Sequence, residues 1–126
     1  MKIRVYYEDT DMGGVVYHSN YLNYCERARS EAFFLREMTP VLENGHFVAR
    51  KVTADFYTSA KLGDLLEIKT QLLEMRAASF TLKQTIRKDE KKIFELDIIL
   101  VYISFEGKVR RLDKSSQELI LSLFDD

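Results

Sequence analysis

Three acidic residues and two glycines crowd the stretch from residue 8 to residue 14, just ahead of a predicted helix. Glu8, Asp9 and Asp11 precede Gly13 and Gly14. Paired glycines let the backbone approach a bound group closely, and a helix that begins after them presents free N–H groups with partial positive charge. A carboxylate opposite such a helix start can attack a carbonyl or activate water while the amides bind the oxyanion. This is the chemistry of acyl transfer.

The same acids also have a structural interpretation. Asp commonly caps turns, and on residue type and spacing alone we place turn capping ahead of catalysis. Asp9 and Asp11 could form a divalent-metal pair, but oxygen-ligand sites need more donors than this stretch supplies. Spacing by itself leaves capping and catalysis open.

The histidines and the single cysteine offer weaker candidates. His18 lies seven residues after Asp11 and is either a hydrogen-bonded helix-entry residue or a polar group of a site. A dyad of His18 with Cys25 is conceivable, but Cys25 lies in an apolar stripe and is expected to be a buried, unreactive thiol. His46 follows Gly45 and is interpreted as a loop residue. Positions 18, 25 and 46 do not have the spacing of zinc ligands, so we predict no metal site.

The periodicity of the chain predicts the elements that position these residues. Residues 2 to 7 alternate as a short strand, and residues 19 to 38 follow a helical pattern that Ser19 or Asn20 could cap. Period-two alternation then predicts strands at 48–56, 66–72, 80–87 and 93–105, in hairpin succession, before a short helix at 115–124. The fourth of these strands is apolar on both faces after Asp97, which indicates a central strand.

One strand, one long helix and four further strands predict an α+β fold in which the helix covers one face of an antiparallel sheet. The chain has 126 residues, enough for one domain over residues 1–126. Such a sheet leaves an edge or a face uncovered, which favours dimerisation.

Composition narrows the function classes. The net charge of −1 gives no reason to expect nucleic acid as a partner. A single cysteine fits a reducing cytoplasm, the N-terminus does not resemble a signal peptide, and no apolar run reaches the roughly 20 residues of a transmembrane helix. We expect a soluble cytoplasmic protein.

The stretch "YYEDTDMGGVVYHSNYLNYCERAR", residues 6 to 29, resembles the signature of the hotdog-fold acyl-CoA thioesterases. The resemblance is greatest to the YbgC type, encoded beside the Tol–Pal envelope system, and extends to the 4-hydroxybenzoyl-CoA thioesterases. Weaker agreement continues through "VTADFYTSAKLGDLLEI" (52 to 68) and "LLEMRAASF" (72 to 80). The resemblance implies a hotdog fold, an antiparallel sheet wrapped around one long helix, and homodimers or homotetramers with active sites between subunits.

The resemblance also implies roles for individual residues. Asp11 would be the catalytic carboxylate, as nucleophile or as general base. The backbone N–H of His18 would polarise the thioester carbonyl, with its imidazole near Asp11. Val16 and Tyr17 would line the acyl end of the site, and Phe47 would border the acyl pocket.

Contacts to coenzyme A are implied by the segment "EMRAASF", which resembles the part of relatives that meets the nucleotide. Arg76 and Ser79 are the candidates. Relatives can carry further basic residues where this chain has Ala77 and Ala78. Other basic residues could make the phosphate contacts in their place: Lys61, Lys83 and Arg87.

Two functions compete. The first is a thioesterase that hydrolyses acyl-CoA, or an acyl group on acyl carrier protein, with no cofactor or metal. The second is a non-catalytic hotdog module that binds acyl-CoA or a protein partner. Intact Asp11, paired glycines and His18 favour the enzyme, because a binder has no need of the acid. A hydratase or dehydratase shares the fold but uses another arrangement of His and acid, which this sequence lacks.

Overall fold

The computed structural model describes residues 1–124 and places a six-stranded antiparallel sheet against one long helix. The helices are α1 (Asn20–Phe34) and α2 (Lys114–Phe124), and a 3₁₀ turn covers Tyr7–Asp9. The strands are β1 (Lys2–Arg4), β2 (Val41–Leu42), β3 (Gly45–Phe56), β4 (Leu65–Met75), β5 (Ser79–Lys88) and β6 (Lys91–Ile103). Their order in the sheet is β1-β4-β5-β6-β3-β2. The predicted α+β hotdog architecture is confirmed.

The core lies between α1 and one face of the sheet. Along β6 every second side chain from Leu96 to Tyr102 is buried, whereas Ile99 and Val101 on the other face are only partly covered. The helix therefore covers one face, as its pattern predicts. β6 is a central strand, but its outer face is half exposed in the single chain. The buried residues of α1 are Tyr21, Tyr24, Cys25, Ala28 and Phe33.

A polar network fixes α1 to the sheet in the middle of this core. The side chain of Gln84 is fully buried, and its Nε2 donates to the carbonyl of Cys25 at 2.9 Å and to Thr70 Oγ1 at 3.1 Å. The Arg29 guanidinium donates to Gln84 Oε1 at 2.9 Å. These directional bonds, added to apolar packing, set how α1 sits along the sheet and hence where its first turn lies.

The prediction of hairpin succession is wrong for β3. Among the four long strands of the described residues, β4, β5 and β6 follow one another as hairpins, whereas β3 pairs with β6 and not with β4. Alternation identifies strands but not their neighbours. The segment 57–64 therefore crosses to the far side of the sheet before β4 begins, and Val5 N–H donates to the Asp64 carbonyl at 2.9 Å where it arrives.

Two predicted boundaries are also corrected. The first strand ends at Arg4 because the Asp9 carboxylate binds the Tyr6 N–H at 2.9 Å and turns the chain. The helix ends at Phe34 rather than near residue 38, since the Met38 N–H bonds the Phe33 carbonyl at 3.0 Å and closes a C-terminal capping motif.

The predicted helix cap differs in its chemistry. Ser19 occupies the N-cap position but makes no side-chain capping bond. The Asn20 side chain instead donates to the Asp9 carbonyl at 2.9 Å, which ties the helix start to the acidic stretch. Neither α1 nor α2, the helices of the described residues, has the length and apolar character needed to cross a bilayer.

Candidate active site

The paired glycines form a tight turn that closes on Asp11. The Asp11 N–H donates to the Val15 carbonyl at 2.9 Å, and the Gly14 N–H returns to the Asp11 carbonyl at 3.0 Å. The Gly13 N–H donates to Asp11 Oδ1 at 2.8 Å. Gly14 has a φ of 78°, which favours glycine, and a Cβ on Gly13 would lie 3.2 Å from Asp11 Oδ1.

Asp11 therefore does cap a turn, as its structural interpretation predicts, but with one carboxylate oxygen. Within residues 1–124 no hydrogen bond engages its Oδ2, and the residue is exposed. A carboxylate anchored through one oxygen has a fixed direction and a second oxygen available for chemistry. Capping and catalysis are compatible in this geometry.

Asp9 has a different environment. It is 7% exposed, its Oδ2 accepts the Tyr6 N–H, and its carbonyl accepts the Tyr17 N–H at 2.9 Å. With the Asn20 bond, Asp9 joins the 3₁₀ turn, the glycine turn and the start of α1. Its contacts are those of a structural residue.

His18 lies where the chain enters the helix. The two preceding backbone N–H groups are hydrogen-bonded: that of Val16 donates to the Ala60 carbonyl at 2.9 Å, and that of Tyr17 donates to the Asp9 carbonyl. No hydrogen bond within the described residues engages the His18 N–H. The imidazole packs against Tyr17, with ring centroids 4.5 Å apart, and at 6.4 Å edge-on to Phe56.

An open cavity of about 450 Å³ brings these groups together. Its lining contains four of the predicted site residues: Asp11, Val16, Tyr17 and His18. The end of β3 and the crossing segment also contribute to the lining, which their sequence pattern does not predict. The further lining residues are Val15, Tyr21, Phe56, Tyr57, Thr58 and Ser59. A carboxylate, a free backbone N–H and aromatic walls then share one cavity.

The other three predicted site residues lie elsewhere in the subunit. Phe47 lines a separate depression of about 170 Å³ and packs against Phe80 and Tyr102, each with a centroid distance of 5.3 Å. Arg76 and Ser79 form the β4–β5 turn, where the Arg76 N–H donates to the Ser79 carbonyl at 2.8 Å.

The β4–β5 turn lies at the opposite end of the sheet from Asp11. The glycine turn meets the start of β4 through the Val15–Lys61 bridge, and β4 has 11 residues, which span roughly 35 Å. The Arg76 side chain is 70% exposed and bonds Glu74 at 2.9 Å. Of the alternative basic residues, Lys61 lies beside the glycine turn, whereas Lys83 is ion-paired with Asp97 at 3.2 Å.

Cys25 is fully buried, and burial raises the pKa of its thiol to about 12. A neutral, enclosed thiol is a poor nucleophile, which removes the dyad with His18. Within residues 1–124 no group of three His, Cys, Asp or Glu side chains is placed to hold a metal ion.

Comparison with known proteins agrees with this architecture. Residues 13–94 match the family model described as the thioesterase superfamily, a match that begins two residues after Asp11. An acyl-CoA thioesterase YbgC from Helicobacter pylori is 58% identical over 86 residues, covering 68% of this chain and 65% of that protein. The chain thus matches slightly under two thirds of the length of that relative.

Longer matches come from other relatives. An acyl-CoA thioester hydrolase YbgC from Escherichia coli O6:H1 is 40% identical over 118 residues, covering 90% of this chain and 88% of that protein. A probable thioesterase from Bartonella henselae superposes with a TM-score of 0.84 at 33% identity, over 90% of this chain and 97% of that chain. The 1,4-dihydroxy-2-naphthoyl-CoA thioesterase of Synechocystis, at 23% identity and a TM-score of 0.86 over 98% of this chain and 95% of that one, shares the fold. The chain belongs to the thioesterase superfamily.

Proposed function

We propose that this protein hydrolyses acyl-CoA thioesters to the free acid and coenzyme A. The observation that carries the proposal is the shared cavity, which is lined by Asp11, with one unbonded carboxylate oxygen, and by His18, with an unbonded backbone N–H. The names of the YbgC relatives support coenzyme A as the carrier, and acyl carrier protein is the alternative carrier.

As a nucleophile, Asp11 attacks the thioester carbonyl and forms an anhydride while the C–S bond breaks and coenzyme A leaves as its thiolate, and water then hydrolyses the anhydride. As a general base, Asp11 instead takes a proton from a water molecule that attacks the carbonyl and displaces the same thiolate. In both routes negative charge develops on the thioester oxygen. The His18 N–H, at the start of α1, donates to that oxygen with support from the helix dipole. The residues of the cavity suffice for this chemistry without a metal or cofactor.

The active enzyme is proposed to be a homodimer, because β3 has an open edge. β2 pairs only with Gly45 and His46, and the remainder of β3 has β6 on one side alone. An antiparallel pair of β3 edges would close this gap between two copies.

The faces of β3 restrict the register of that pair. Opposed residues must point to the same face, and the β-bulge between Ala49 and Lys51 makes Arg50 an extra residue. A two-fold axis at Thr53 satisfies this rule and sets Lys51 of each copy opposite Asp55 of the other. Opposite charges in direct cross-strand pairs are favourable.

This register brings the distant site residues to the cavity. Ala49 of a second copy would oppose Phe56 of the first. Two residues further along the pair, Phe47 of the second copy would lie beside Thr58 of the first. Both Phe56 and Thr58 line the cavity. Ser79 is in register with Val101, which is in register with Val48. The Arg76–Ser79 turn of a second copy therefore lies at the Asp11 end of the joined sheet, within reach of the coenzyme.

Substitution of Asp11 tests the proposal. Asp11→Asn keeps an oxygen for the Gly13 N–H but removes the negative charge and the basicity, so kcat for thiol release from acyl-CoA should fall by at least about 10²-fold. Glu8→Gln is the matched control, since it removes an exposed charge three residues away and should leave kcat unchanged. Asp9→Asn should cost stability with only a modest effect on kcat. Equal activity of wild type and Asp11→Asn would show that Asp11 only caps the turn.

A further inference from the structure

Tyr21 is the one residue of the buried stripe of α1 that also lines the cavity with Asp11. Its side chain is 3% exposed. The ring stacks on Phe94 with centroids 5.2 Å apart at 12° and meets Phe56 edge-on at 5.9 Å. Aromatic neighbours on two sides hold the phenol in one place.

The hydroxyl of Tyr21 uses only its acceptor capacity within the described residues. The Ala60 N–H donates to it at 3.1 Å, and none of residues 1–124 accepts the phenolic proton. A buried donor without an acceptor is costly. Since Tyr21 lines the cavity, the cavity is where an acceptor for this proton can enter.

The phenol keeps its proton at neutral pH. Burial raises the pKa of Tyr21, the Ala60 N–H lowers it, and the charges of Asp11 and Asp64 raise it. The other titratable groups around it are His18, Tyr17 and Tyr57, which line the same cavity, and Tyr24, whose ring is 6.2 Å away. A protonated phenol close to the Asp11 carboxylate is a fixed hydrogen-bond donor.

We propose that Tyr21 is a further catalytic residue, whose phenolic O–H donates a hydrogen bond to the thioester carbonyl oxygen alongside the His18 N–H. Tyr21 lies in the first turn of α1, three residues after His18, and both residues line the cavity. Tyrosine hydroxyls are established oxyanion donors in other enzymes. The proton remains on Tyr21 throughout, and the inference rests on the proposed thioesterase activity.

Removal of the hydroxyl is the first test. Tyr21→Phe keeps the ring stack, and we expect kcat for acyl-CoA hydrolysis to fall about 10- to 100-fold with KM changed by less than about threefold. Tyr24→Phe is the matched control: its hydroxyl is also buried, but it faces the structural residue Asp9 and lies outside the cavity lining. Tyr24→Phe should retain wild-type kcat.

A second measurement separates donation to the substrate from acceptance of the Ala60 N–H. Site-specific replacement of Tyr21 by 3,5-difluorotyrosine lowers the phenol pKa and keeps the shape of the ring. A phenolate still accepts the Ala60 N–H but cannot donate. We therefore expect kcat of the fluorinated enzyme to fall with rising pH through the lowered phenol pKa, in a range where wild-type kcat stays constant.

The outcomes distinguish a failure of the proposed role of Tyr21 from a failure of the proposed thioesterase activity. If Tyr21→Phe has wild-type kcat, or if the fluorinated enzyme stays fully active above its phenol pKa, Tyr21 only supports the crossing segment and the inference is wrong. If wild type releases no thiol from short, long or aromatic acyl-CoAs, or if Asp11→Asn is fully active, the proposed function itself fails.

Discussion

Asp11 and Tyr21 illustrate how single residues of the candidate site combine a structural hydrogen bond with the chemical role that we propose for each. Each binds one backbone N–H, of Gly13 or of Ala60, at 2.8 Å and 3.1 Å. Each also has one polar group without a hydrogen-bond partner in the described residues, the Oδ2 of Asp11 and the O–H donor of Tyr21. A side chain that is held by one hydrogen bond, and that keeps a second donor or acceptor free, is preorganised for a ligand before the ligand binds.

Arg76 allows a prediction at the residue scale. A contact with the nucleotide part of coenzyme A is made equally in the ground state and the transition state, so its loss weakens binding without slowing chemistry. Arg76→Ala should raise KM for acyl-CoA about 5- to 20-fold with kcat within about twofold. Steady-state kinetics on the purified variant provide the measurement.

Glu74→Ala is the control for Arg76. It removes the carboxylate that bonds Arg76 at 2.9 Å and leaves the guanidinium available to a phosphate, so KM should stay the same or decrease. A fall in kcat in Arg76→Ala with KM unchanged would contradict a role in coenzyme binding.

Some of the site could be predicted from residue types and some could not. The double glycine after Asp11 and before a helix indicates a turn that presents a carboxylate to free N–H groups, and the structure contains that turn. For Tyr21 and Phe56 the periodicity predicts only that they lie in the helix at 19 to 38 and in the strand at 48–56. Periodicity identifies which side of an element is apolar, but not which end of a ring meets a cavity.

At the scale of elements, the C-terminus of α1 ends in strain that a sequence pattern does not reveal. Glu37 has a φ of 58°, in the left-handed region where glycine is normally found. The apolar residues at 33 to 38 continue the helical pattern, so the sequence predicts a longer helix. The capping bond of Met38 to the Phe33 carbonyl ends it instead.

Glu37→Gly should therefore stabilise the protein. Removing the Cβ relieves the left-handed conformation, and the larger conformational entropy of an unfolded glycine offsets part of the gain. We expect the free energy of unfolding in urea to rise by about 0.5–1 kcal/mol, the difference between these two effects. Glu37→Ala removes the same charge but keeps the Cβ, and it should show no such rise. If the urea concentration at the unfolding midpoint of Glu37→Gly is equal to or lower than that of Glu37→Ala, the turn carries no strain.

Strand pairing is the part of the fold that local pattern could not supply. The alternation of 48–56 predicts β3 correctly as a strand, yet its partner is β6, some forty residues later, rather than the next strand along the chain. The partner of a strand depends on how all the strands are arranged in the sheet that covers α1. That arrangement is a property of the whole domain. The cavity depends on that choice, because the segment that leaves β3 forms its wall.

At the scale of the whole molecule, the cavity of a single subunit contains the proposed reacting groups but not all the predicted binding residues. Asp11 and His18 share one cavity, whereas Phe47, Arg76 and Ser79 lie away from it. The proposed pairing of two β3 edges about Thr53 would unite the two sets and would make substrate affinity depend on the state of assembly. The interface can be tested through its charges.

Charge reversal at β3 is the sharpest test of this assembly. In the proposed register Lys51 of each copy opposes Asp55 of the other, twice per dimer. Asp55→Lys sets four lysines together at the edge, and since like charges in direct cross-strand pairs are unfavourable, the dimer dissociation constant should rise at least about tenfold. The double variant Lys51→Asp with Asp55→Lys exchanges the signs and should restore dimerisation to near the wild-type level.

Sedimentation velocity over a concentration series measures the dimer dissociation constant of both variants. Thiol release is followed in parallel, because the monomeric variant should lose affinity for acyl-CoA. Failure of the double variant to recover would exclude this register, and a monomeric wild type at micromolar concentration would exclude the β3 dimer altogether.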